Sequence, residues 1–78
     1  MAVYTVRNGR RYQAKIRLGL FQSVASNEQV ADKFREVGFT DVSISGSGRD
    51  RMGTGLWPHL DATAEVPDEI TSIEVMEA

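Results

Sequence analysis

The chain has no cysteine, one histidine and one tryptophan among 78 residues. Without thiols there is no disulfide framework, no cysteine nucleophile and no thiolate metal site, and either redox compartment is permitted. The lone His59 forms neither an HxH nor an HxxxH spacing, so with Asp61 it makes two candidate ligands and no metal site. Ser23, Ser26, Ser43, Ser45 and Ser47 lie in no nucleophile elbow and would share that single ring as base. Asp68 and Glu69 fall in a turn where carboxylates are solvated. The sequence therefore reads as a non-enzyme with no cofactor, no metal and no catalytic residue. No apolar run approaches the roughly 20 residues that span a bilayer, and the N-terminus lacks a signal-peptide hydrophobic region. This reads as a soluble chain with no membrane insertion, cytoplasmic as it stands unless it is a piece of a longer secreted or anchored protein.

Charge is missing by sign as well as by type. Residues 1–20 hold Arg7, Arg10, Arg11, Lys15 and Arg17 with no acid, and residues 60–78 hold Asp61, Glu65, Asp68, Glu69, Glu74 and Glu77 with no base. Either these segments neutralise each other within a fold or an oligomer, or the basic end meets an anionic partner. The net charge of −2 disfavours non-specific nucleic-acid binding.

What is present suffices for one small domain. Hydrophobic residues make up 41% and charged residues 26%, ordinary globular values. A core of this size leaves a net stability of about 3 to 5 kcal/mol. The best-bounded element is a helix over 27–37. Ser26 and Gln29 suit a capping box, while Val30, Ala31, Phe34 and Val37 recur at the helical period. Gly38 can take positive φ at the C-terminus, and Phe39 can fold back onto Phe34.

Around the helix the pattern has period 2. Tyr12, Ala14, Ile16, Leu18 and Leu20 alternate with Gln13, Lys15 and Arg17, and Asn8-Gly9 suits a type I′ turn, so residues 2–20 are expected as an N-terminal hairpin. Val42 and Ile44 predict a short strand ending at Gly46. Residues 46–57, with four glycines from Gly46 to Gly55, are expected as a flexible loop. Its glycines match neither a phosphate-binding P-loop, which needs a lysine before Thr54, nor a dinucleotide fingerprint, which needs a glycine at position 51. Leu60, Ala62, Ala64 and Val66 give a strand or, started by Pro58, a short helix. Ile70, Ile73 and Val75 give a last strand. The fold class is thus α+β, one helix on a mainly antiparallel sheet of four or five strands, a ferredoxin-like half sandwich.

These elements carry a resemblance. Tyr12 to Val42, with Leu18-Gly19-Leu20-Phe21 closing a strand, Glu28 to Val37 as helix and Gly38-Phe39 entering the next strand, resembles the first half of a SPOR domain. Gly48-Arg49-Asp50-Arg51-Met52-Gly53 is similar to the strand that opens that family's second half. The resemblance implies a βαββαβ fold that binds septal peptidoglycan stripped of its stem peptides, with Gln13, Lys15 and Arg17 on the sugar-binding sheet face. Residues 56–69 offer no counterpart to that family's second helix, and an extra strand precedes the match.

The functional expectation is a small non-catalytic binding or assembly module, a subunit of a larger complex or a self-associating protein. The alternatives are SPOR-like carbohydrate binding and an anion-binding or enzymatic domain. Partner contacts are expected at Gln13, Lys15 and Arg17, at Arg49 and Arg51 of the glycine-rich stretch, and at Trp57, which is either a loop-margin anchor or a core residue.

Overall fold

The computed structural model describes residues 3–20 and 22–76; the expectations that fall on Ala2, Phe21 and Glu77 lie outside them. Strands β1 (Val3–Val6), β2 (Arg11–Arg17), β3 (Thr40–Ser47), β4 (Asp50–Leu56), β5 (Ala62–Glu65) and β6 (Ile70–Val75) accompany one helix, α1 (Asn27–Val37). The chain is α+β, with an antiparallel sheet of order β3-β4-β2-β6 and a separate two-stranded ribbon β1-β5. Strands β2 and β3 both run antiparallel to β4, so they are parallel to each other, and α1 crosses from one to the other over the inserted β4.

Helix α1 begins and ends where the sequence predicts. The Ser26 hydroxyl accepts from Gln29 N–H at 3.1 Å, and Ser26 N–H donates to Gln29 Oε1 at 2.8 Å. Both bonds satisfy donors that a helix start otherwise leaves orphaned. At the other end Gly38 has φ of 128°, and the Phe39 N–H donates to Phe34 O at 3.1 Å. A side chain at Gly38 would meet the backbone strain of that φ and the Trp57 ring, 3.0 Å from an ideal Cβ.

The expected N-terminal hairpin does not form. Asn8-Gly9 does turn the chain, with Gly9 at φ of 76°, but β1 pairs with β5 and not with β2. The turn is claimed by the segment after β4: Asn8 Nδ2 donates to Pro58 O and His59 O, Asn8 N–H donates to Asp61 Oδ1 at 2.8 Å, and Gly9 N–H donates to Trp57 O at 2.7 Å. Those bonds swing β1 off the main sheet. Segments of opposite charge then come together, basic β2 lying beside β6 with its Glu74, and Arg7 and Asp61 pairing at 3.2 Å at the end of the β1-β5 ribbon. The charge asymmetry is thus neutralised in part within the chain.

The expected flexible loop 46–57 is also corrected. Residues 40–56 form the β3-β4 hairpin, turned at Gly48-Arg49, and the glycines serve its packing. Gly53 and Gly55 lie on the inner face, where an added Cβ would sit 3.1 Å from the Phe34 ring and 3.2 Å from the Phe39 ring. The absence of side chains there lets the aromatic rings rest on the backbone. The aliphatic core gathers Ile16, Leu18 and Val30, with Ala25, Phe34, Ile44 and Ile70 packed against it. Burying each such side chain contributes about 1.5 to 3 kcal/mol. A second, aromatic cluster runs Tyr4–Tyr12–Phe39–Trp57, with successive ring centroids 5.9, 6.5 and 5.0 Å apart.

Candidate functional site

The sheet has two unlike faces because the side chains alternate. On the outer face, cross-strand rows read Ser43–Thr54–Gln13–Glu74, Ser45–Met52–Lys15–Ser72 and Ser47–Asp50–Arg17. Gln13, Lys15 and Arg17 stand together here as expected. Gln13 Nε2 donates to Met52 Sδ at 3.0 Å, and Arg17 pairs with Asp50 at 3.6 Å, both partners exposed. Such an exposed pair adds little to stability. Lys15, Arg17, Ser45, Asp50, Met52 and Thr71 border a shallow depression of about 420 Å³.

The other expected contact residues are placed differently. Arg49, in the hairpin turn, donates from Nε to Leu18 O at 3.1 Å and is exposed at the same end as Arg17. Arg51 points to the inner face and is buried, 7% exposed. Its Nε donates to Gly48 O, Nη1 to Asn27 Oδ1, and Nη2 to both Ser23 O and Ala25 O, at 2.8 to 3.1 Å. Four of its five N–H donors are so used, three of them tying β4 to the start of α1, and its burial sets it apart from the exposed cations. Trp57 is the core residue of the two alternatives, 7% exposed, its Nε1 donating to Leu60 O at 2.8 Å. His59 lies edge-on to Trp57 at 5.1 Å, while Asp61 is occupied by Asn8 and Arg7. The two candidate ligands therefore face different work.

The inner face carries the feature that sequence reasoning missed. Helix α1 packs along β3, and the ribbon takes its second strand, β5, from the chain's return from β4 to β6. Between them lies a groove of about 900 Å³. Its floor is Ala14, Ile16 and Ile73; one wall is Val30, Phe34 and Val37 of α1; the other is Tyr4, Val6, Ala62 and Ala64 of the ribbon. Val24 at 88% and Val37 at 65% exposure bring apolar surface to its mouth. Burial pushes the Tyr4 phenol above its ordinary pKa, with Tyr12 and the Glu74 carboxylate acting in the same direction, so this wall is uncharged across the neutral range. The rim is acidic: Glu65 and Glu69 stand on the ribbon side, and on α1 the only amine, Lys33, is paired with Glu36 at 3.7 Å. The alternation of Ala62, Ala64 and Val66 was the signal available, since those side chains needed a covering layer that no second helix supplies.

Among the described residues no helix is long and apolar enough to cross a membrane, and no three His, Cys, Asp or Glu side chains gather to hold a metal. No family model, curated protein or solved structure matches this chain.

Proposed function

We propose that this protein is a non-catalytic binding or assembly module that takes an apolar, basic-flanked segment of a protein partner into the groove between α1 and the β1-β5 ribbon. The observation that carries this reading is the apolar groove between α1 and the ribbon, floored by Ala14, Ile16 and Ile73 and rimmed by Glu65, Glu69 and the Lys33–Glu36 pair. Large concave apolar surfaces with polar rims are where folded proteins take ligands, and the rim's sign selects cationic flanks. Nile red, an uncharged apolar dye, is expected to bind the native protein with blue-shifted emission. A leucine-rich peptide flanked by lysines should displace it, and the same peptide flanked by glutamates should not. Ala64→Phe, at an exposed position on the groove wall, fills the space and should weaken dye binding at least tenfold. Native protein that leaves the dye unchanged, or equal displacement by both peptides, sinks the proposal.

The strand order supports a second reading. A split strand–helix–strand unit followed by β4 and β6, in the order β3-β4-β2-β6, supports a ferredoxin-like reading, with the ribbon at the chain position where that reading expects a second helix. This is the scaffold that the SPOR resemblance implies, and its hydroxyl-rich outer face with Gln13, Lys15 and Arg17 would be the sugar-binding surface. On that reading the protein pellets with peptidoglycan stripped of stem peptides, and Lys15→Glu with Arg17→Glu abolishes the pelleting. A wild-type protein that stays in the supernatant removes it.

A further inference from the structure

The two edges of the four-stranded sheet are treated differently, and the difference points to a partner. Edge β3 is interrupted by a bulge between Thr40 and Ser43, with Asp41 at φ of 50° and Gly46 at φ of 98°. Arg11 reaches across to the Asp41 carboxylate and carbonyl. Bulges, charges and turned-out backbone are the devices that keep an edge from pairing with another chain. Edge β6 has its one irregularity at its start, opposite Lys15 and Ile16, and from Ser72 to Val75 it is regular, without proline and with Glu74 as its only charge. The Met76 N–H donates to Arg11 O, so by the two-residue period Glu74 and Ser72 bond inward to β2, and Ile73 and Val75 turn their N–H and C=O groups outward.

We infer that β6 pairs antiparallel with β6 of a second copy about a two-fold axis at Ile73. Two registers satisfy the outward groups. Pairing Ile73 with Val75 would set Glu74 against Glu74 of the other copy, a like-charge opposition that destabilises. Pairing Ile73 with Ile73 sets Glu74 against Ser72 twice and leaves no charge opposed. The same register brings Ile73 against its symmetry mate on the inner face and sets Val75, 40% exposed, diagonal to it across the seam. Association continues one sheet through two chains, the strand-addition mode of recognition.

Light scattering from 10 μM to 1 mM tests it. The wild type is expected to rise from 8.6 kDa toward twice that mass. Ser72→Glu places a carboxylate opposite Glu74 of the other copy on both sides of the axis, and should weaken association at least tenfold. Within the chain residue 72 lies across from Lys15 on the exposed face, so the fold should keep its wild-type circular dichroism. Adding Glu74→Lys to Ser72→Glu opposes lysine to glutamate and should restore the dimer. A wild type that stays at 8.6 kDa at 1 mM, or a Ser72→Glu variant that dimerises as well as wild type, overturns the inference. A monomer that still takes up Nile red ends this inference and leaves the groove reading standing.

Discussion

Gly46→Ala should remove about 2 to 4 kcal/mol of stability, most of what a domain of this size has, and leave a large unfolded fraction at 37 °C. Two effects combine at this one position. Gly46 has φ of 98°, a backbone conformation that strains an L-residue by about 1 to 3 kcal/mol. An ideal Cβ there also falls 2.6 Å from the Asp50 carbonyl oxygen and 3.2 Å from the Arg51 Cα. Those are backbone atoms of the paired strand, so relief requires opening the β3-β4 ladder itself. Gly53→Ala is the control. Its closest neighbour, at 2.8 Å, is the terminal Cδ1 of Ile44, which can rotate away, although the Phe34 ring lies within 3.1 Å. The Gly53 variant should lose about 1 kcal/mol, since over-packing partly offsets the gain from a less flexible unfolded chain. Urea unfolding of both proteins checks the order; equal losses would show that backbone geometry at Gly46 is not the controlling factor.

Arg51→Met should cost about 3 kcal/mol and act first on the start of α1. Methionine keeps much of the apolar stem but orphans Ser23 O, Ala25 O and Asn27 Oδ1, which the guanidinium now satisfies. Each partly buried polar group left without a partner costs about 1 to 3 kcal/mol, and water reaching the half-exposed ones keeps the total below the sum. Arg51→Lys should recover only part of the loss, because one ammonium cannot bond in the directions of a planar fork. Denaturant unfolding gives the size, and amide exchange gives the place: Gln29 and Val30 amides should lose protection in Arg51→Met before β2 amides do. Uniform loss across the chain would mean that Arg51 contributes only general packing.

The helix was legible because each of its ends is written in a few adjacent residues: Ser26 and Gln29 at the start, Gly38 and Phe39 at the close. The strand residues β2, β5 and β6 were legible through period-2 alternation. Alternation states that a strand has two faces and does not state which strand lies beside it. The β1 partner was therefore misassigned, since the deciding bonds run from Asn8 to residues 57–61, far along the chain. The glycines of residues 46–55 read as mobility because a glycine carries no side chain to show a pattern. The role of Gly53 and Gly55 depends on Phe34 and Phe39 arriving from above, which only the folded chain reveals. Arg51 was read as a surface cation for a related reason. Its partners are backbone carbonyls, which every residue has and no sequence pattern marks. Of the expected contact residues, Gln13, Lys15 and Arg17 were legible as a set because they occupy one strand at spacing two. The groove was not, because it is made by the space between α1 and a ribbon that joins the two ends of the chain.

The guarded β3 edge bears on how large an assembly can become. A sheet with two open edges that add strands head to tail grows without limit, and that is the geometry of fibres. Here a β6 two-fold contact is isologous: it uses the open edge of both copies at once. The eight-stranded sheet that results ends on both sides in β3, where the bulge and Asp41 refuse a further strand. The same few residues that disfavour pairing at one edge would thus fix the count at two, and make the assembly finite by construction.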